Sequence, residues 1–176
     1  MGMVEKLKLK EGKYLDITVG KSELAMKVPT TREIIRMESS NTTIDGNVDV
    51  AKYIEGICKF IVPKREINDL CEVPSEVELN LGEKVITLKG ITAKKALKII
   101  SDSAKIEKDP KDPTSIILRP NTEGMLDAIL DLAEEKVDID DLKYKEVMQI
   151  PNLFQEKIEV GTLIDVYNFF QENFQA

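Results

Sequence analysis

The stretch Leu15-Asp16-Ile17-Thr18-Val19-Gly20-Lys21-Ser22-Glu23-Leu24-Ala25-Met26-Lys27-Val28 decides how the fold begins. Large apolar residues recur at every second position on both sides of Gly20-Lys21, the period of a half-buried antiparallel sheet. A two-residue turn with glycine first suits a type II′ hairpin. It places Ile17 opposite Leu24 and Leu15 opposite Met26, so both strands turn their bulk to one face. Upstream, Leu7 and Leu9 alternate with Lys6, Lys8 and Lys10. A three-residue loop at Glu11-Gly12-Lys13 brings Leu9 opposite Leu15 on that same face, whereas a two-residue loop would turn the leucines to the wrong side. The expected product is a small meander with one apolar face that needs a cover.

The cover follows directly. Val28-Pro29 stops the strand, and Thr30-Thr31-Arg32-Glu33 has the spacing of a capping box, in which hydroxyl and carboxylate satisfy the first free amides of a helix. Ile34, Ile35 and Met37 give that helix its contacts, and the polar run Ser39–Thr43 ends it. A second helix, capped by Asn47 or Asp49, carries Val50, Tyr53, Ile54, Ile57, Cys58 and Ile61 at helical spacing, and Pro63 stops it. The charged, proline-bounded stretch from Pro63 to Ser75 reads as a linker. Residues 1–72 are therefore expected to form one unit, with the boundary between about 63 and 76.

A second unit, 73–176, opens with another hairpin. The Gly82-Glu83 turn pairs Leu79 with Ile86 and Val77 with Leu88. Thr92 caps a helix carrying Ala93, Ala96, Leu97, Ile100 and Ala104. Residues 108–113 read as a loop, Ser115–Arg119 as a short strand, and Asn121 or Thr122 as the cap of a helix with Met125, Leu126, Ile129, Leu130 and Ala133. A weak helix near Leu142–Met148 and a strong one from Val160 to Asn173 close the chain. The expected fold class is α+β: a small antiparallel meander with two packed helices, followed by a β-hairpin unit with three or four helices. A strand, a proline and a Thr/Glu helix start occur in each half, at 28–33 and 119–123. Ordinary strand-to-helix chemistry accounts for this as well as a duplication does.

The chain has 176 residues, 42% apolar and 32% charged, which is neither a disordered nor a membrane composition. No apolar run approaches a membrane span, and Met1–Lys6 opens without the apolar core of a signal peptide, so a cytoplasmic location is expected. The absence of histidine removes His-based triads, His-ligated metals and His pH switches. A net charge of −7 argues against nucleic acid as a partner. Cys58 and Cys71 read as two reduced, unactivated thiols. Asp45-Gly46-Asn47-Val48-Asp49 spaces oxygens like a calcium loop, but Val50 and Gly56 occupy the places of the required glycine and glutamate. Asp138-Ile139-Asp140-Asp141, with Glu134 and Glu135 upstream, reads as an acidic loop and helix cap. No phosphate loop, nucleophile elbow or Ser-x-x-Lys motif is present. No catalytic residue, metal ligand or cofactor site is assigned, and the expectation is a protein that works by contact and is not an enzyme.

Two features point to where that contact lies. Residues 121–176 carry four basic and thirteen acidic side chains, so the negative charge belongs to the last third of the chain. Four of the five phenylalanines, Phe154, Phe169, Phe170 and Phe174, fall in the last 23 residues. On the terminal helix, Leu163, Val166, Tyr167 and Phe170 make a stripe that a core would accept, and Phe169 and Phe174 extend beyond it. Tyr167, Phe169, Phe170 and Phe174 are the candidate partner-binding residues, since aromatics concentrate binding energy. Burial of both helix faces inside the protein is the competing reading.

Residues 28–63 carry a further signal. Val28-Pro29-Thr30-Thr31-Arg32-Glu33-Ile34-Ile35-Arg36-Met37-Glu38, then Asp45-Gly46-Asn47-Val48-Asp49-Val50-Ala51-Lys52-Tyr53, then Phe60-Ile61-Val62-Pro63 form a short helix, an Asp/Asn-Gly-Asn-Val turn, a helix with a central tyrosine and a hydrophobic-Val-Pro ending. This pattern resembles the tail assembly chaperones of phages and phage-like particles in Gram-positive bacteria. The resemblance implies a non-catalytic adaptor without cofactors, whose partners are the tape measure and tail tube proteins. A self-associating structural or regulatory module of a phage or mobile element is the second reading, and an enzyme of unknown type the third.

Overall fold

Strands β1 (Tyr14–Val19) and β2 (Ser22–Lys27) pair antiparallel in the expected register, with Ile17 against Leu24 and Leu15 against Met26. Gly20 at the turn has a φ of 60°, a conformation that glycine adopts without strain. The computed structural model describes residues 13–42, 48–102, 104–112 and 114–174, with strands 104–108 and 116–120 given by their backbone alone. The expected strand at Leu7–Leu9 and Asn47 as a helix cap lie outside the described residues. The class is mixed α+β, as expected, and the chain divides into two compact units: 1–72 with 160–176, and 73–159.

In the first unit, Thr30 caps α1 (Thr31–Asn41) through the expected box. The Glu33 amide donates to Thr30 Oγ1 at 3.2 Å and the Thr30 amide donates to Glu33 Oε2 at 2.7 Å. Asp49 caps α2 (Val50–Cys58) by accepting from the Lys52 amide. The helix stops at Cys58, earlier than its apolar spacing suggests, because the chain then runs back along the sheet. Ile61 and Val62 form β3 against Met26 and Ala25, and the Lys27 amide donates to the Phe60 carbonyl. The sheet order is β1-β2-β3, and central β2 is buried on both faces, since Ala25 is as enclosed as Leu24 and Met26. The stretch expected to be a linker instead folds one helical turn, α3 (Ile67–Leu70), and buries Ile67, Leu70 and Cys71.

The second unit starts with β4 (Glu76–Asn80) and β5 (Val85–Lys89), again in the expected register. Thr92 caps α4 (Ala93–Ser101), which presents Ala93, Ala96 and Leu97 to the core. Ala104, expected in that helix, belongs instead to β6 (Ala104–Lys108), the partner of β7 (Ile116–Pro120). After α5 (Thr122–Leu130), residues 132–134 lie along β5. The Lys89 amide donates to the Leu132 carbonyl, the Glu134 amide donates to that of Thr87, and Lys89 Nζ meets Glu134 Oε1 at 2.6 Å. A single 3₁₀ turn at Ile139–Asp141 leads to α6 (Tyr144–Val147), and α7 (Ile150–Lys157) buries Ile150 and Phe154.

The last helix, α8 (Gly161–Phe174), was expected in this second unit. It belongs to the first, where it lies on α2, α3 and β1. Leu163, Val166 and Phe170 are its buried side chains, and they complete the core of Leu24, Met26, Tyr53, Ile54 and Ile57.

Candidate functional site

The four aromatic candidates on α8 part company. Phe170 is 0% exposed, with ring centroids 5.9 Å from Tyr53, 6.4 Å from Phe60 and 5.1 Å from Phe174. It is a core residue, which corrects its assignment to a partner surface. The reason is its place on the stripe that began at Leu163 and Val166. Tyr167 is half-buried, edge-on to Tyr53 at 5.2 Å, and its hydroxyl pKa is raised by burial and by the nearby Glu38 carboxylate. Tyr53 itself, the central tyrosine of α2, is fully enclosed and donates its hydroxyl proton to Glu38 Oε1 at 2.8 Å. Phe169 and Phe174 remain half-exposed.

Neither cysteine is placed for chemistry. Both are buried thiols that form no disulfide. Burial pushes the Cys58 thiol up to about 12, helped by the negative charges of Glu55 and Asp69, so it stays protonated and non-nucleophilic at neutral pH. Among the described residues, no three Cys, Asp or Glu side chains stand together as a metal site. No described helix is long and apolar enough to cross a membrane.

A surface with exposed apolar side chains lies in the second unit, in the acidic last third of the chain. An open groove of about 650 Å³ runs between α5 and the segment 136–148. Its floor is Leu126 and Leu130 from α5 and Val147 from α6, all buried. One rim is acidic, with Glu123, Asp127 and Asp131 spaced one helical turn apart. Asp138 and Asp140 stand across from them, and Lys136 is the single cation of the lining. The far wall ends in Tyr144, 79% exposed, and Met148, 44% exposed.

Local bonding explains why these two side chains project. Residues 132–134 are pinned to β5, and the Lys84 ammonium donates to the Asp141 carbonyl at 2.9 Å. The Asp140 amide donates to Asp138 Oδ1, which shapes the turn. Buried Glu146 accepts from the Lys143 amide at 3.0 Å and so starts α6. A helix of one turn buries one face. Here Val147 points in and Tyr144 points out.

The acidic loop with its cap at Asp138 and the weak helix near 142–148 are present as expected, but sequence reasoning did not single out Tyr144 or Met148. The available signal was their i, i+4 spacing beside an acidic run. A second groove, in the first unit, mixes charges: Lys27, Arg36, Lys52 and Lys59 face Glu33 and Glu55. No family model, characterised protein or solved structure matches this chain.

Proposed function

We propose that the protein is a non-catalytic assembly chaperone or adaptor, holding another protein for phage-type tail assembly. The observation that carries the reading is the groove beside α5, where an apolar floor and two projecting side chains, Tyr144 and Met148, are framed by carboxylates. Tyrosine and methionine are enriched where proteins bind, because each offers much apolar area with an adaptable or polar tip. The surrounding negative charge would keep a complex with an aggregation-prone partner in solution. The resemblance of residues 28–63 implies a tape measure or tail tube protein as that partner.

The test is aggregation of a phage-type tape measure protein, followed by light scattering with and without the chain present. Suppression with formation of a stoichiometric complex supports the reading. Unchanged aggregation and no complex with either tail protein would overturn it. Size-exclusion chromatography with light scattering on the chain alone separates the second reading, since a ring or filament would favour a self-associating structural module.

A further inference from the structure

We infer that the groove between α5 and residues 136–148 receives a basic amphipathic helix of the partner, an assignment that rests on the adaptor reading above. Three features select this occupant. The first is charge. Five carboxylates, Glu123, Asp127, Asp131, Asp138 and Asp140, line the groove against the single cation Lys136, so the complementary segment is rich in lysine and arginine.

The second is periodicity. Glu123, Asp127 and Asp131 follow one another at i, i+4 and i+8, a ladder rising about 6 Å per step. Lysines or arginines at the same spacing on a facing helix meet that ladder one to one, whereas an extended strand repeats about every 6.8 Å along one face and drifts out of step. The third is the floor. Leu126 and Leu130 are one turn apart on α5, and Tyr144 and Met148 one turn apart on the opposite wall. Tyr144 and Met148 offer contacts to an apolar stripe at i, i+3, i+4 and i+7, over a floor that the nearly enclosed Leu126 and Leu130 close.

The order of energies agrees. The carboxylates are exposed, so each contributes little alone and acts mainly through steering and register. Tyr144, largely exposed in the free protein, is the side chain that gains most from being covered.

The test uses the full chain and labelled synthetic helices of about 18 residues. One carries a leucine stripe with lysines flanking it. A second has the same composition scrambled, so that the stripe is lost. A third replaces lysine by glutamate. Fluorescence anisotropy at about 50 and about 200 mM salt reads the affinity, and circular dichroism reads the helicity of the bound probe.

The striped basic probe is expected to bind at least about tenfold more tightly than either control, to become helical on binding, and to weaken at higher salt. Tyr144→Ala with Met148→Ala should weaken it about tenfold or more. Asp127→Asn with Asp131→Asn should weaken it several-fold and flatten the salt dependence. All four positions are exposed, so the fold is retained. Equal binding of the striped and scrambled probes, or an unchanged affinity in the Tyr144/Met148 variant, overturns the assignment and leaves non-specific attraction. Binding without gain of helicity overturns the helical occupant in favour of an extended one. If these same variants still capture the tail proteins at full affinity, the groove assignment falls and the adaptor function stands. If the probe binds as expected and no tail protein is captured, the tail function falls and the groove assignment stands.

Discussion

Replacing Phe170 by alanine tests whether the terminal helix is structural. The ring is 0% exposed and lies within 6.4 Å, centroid to centroid, of Tyr53, Phe60 and Phe174. Removing a phenylalanine from such a site costs about 3–5 kcal/mol, the upper end applying where the surroundings cannot collapse. Three neighbouring rings on two helices and a strand-flanking loop are held by their own contacts, which favours the upper half, near 4 kcal/mol. A domain holds about 5–15 kcal/mol in total, so this one change removes a large share. With a urea slope of about 1–3 kcal/mol per molar, the midpoint falls by about 2 M. Urea titration followed by circular dichroism measures the shift, and amide exchange in β2 and α2 locates it. Phe169→Ala is the control. That side chain is half-exposed, and its loss should cost less than about 1 kcal/mol. Equal effects of the two substitutions would refute the placement of α8 in the core of the first unit, and with it the correction to Phe170.

The first unit carries three further expectations. Burial holds the Cys58 thiol at about 12, above its unfolded value, so its contribution to stability is complete below about pH 8.5 and is lost as pH rises towards 12. Cys58→Ala should flatten that alkaline limb, and a thiol reagent at pH 8 should find Cys58 slow until denaturant is added. Glu33 is held below its ordinary value chiefly by the hydrogen bond from the Thr30 amide, so its contribution is present above the ordinary carboxylate range and fades as pH falls through its lowered value. Glu33→Gln should remove that acid dependence, and Thr30→Ala should cost about 1 kcal/mol at neutral pH by thermal melting. At Gly20, with φ of 60°, an added Cβ would lie 3.3 Å from Thr162 Cγ2 on α8. Gly20→Ala should therefore cost about 1–2 kcal/mol in the same melts, most of it backbone strain.

Both hairpin registers could be read from the sequence because alternation and a Gly-first turn together leave one solution. Ile17 faces Leu24 and Leu79 faces Ile86 for the same reason. The helix starts at Thr30, Asp49 and Thr92 were legible because a cap is a bond between near neighbours. What escaped depends on distant partners. Ile61 sits at helical spacing from Ile57 and Cys58, and only pairing with Met26 makes it a strand. Ala104 continues the spacing of Ala96 and Ile100, and only Pro120 across the ladder takes it out of the helix. Helix α7 (Ile150–Lys157) was not expected, and Pro151 fits its first turn because the missing amide proton is not needed there. The groove was invisible for the same reason, because Leu126 and Tyr144 share a surface through the pinning of residues 132–134 to β5.

Apolar area can close a core or meet a partner, and α8 and α6 differ in which of the two they do. A side chain that closes a core cannot also be offered to a partner without unfolding that core. On α8 the stripe of Leu163, Val166 and Phe170 is already committed, and Tyr167 leans on Tyr53. On α6 the balance is different. A helix of four residues has no stability of its own, and this one is held by a backbone bond to Glu146 at one end and the burial of Val147 at the other. Tyr144 contributes almost nothing to that arrangement, being 79% exposed. Folding therefore gains little from a large aromatic at this position, and a short polar residue would serve the helix as well. Its apolar area, together with that of Met148, is uncommitted and stands beside a carboxylate ladder. That combination leaves the groove with apolar area to offer a partner, where the stripe of α8 has none.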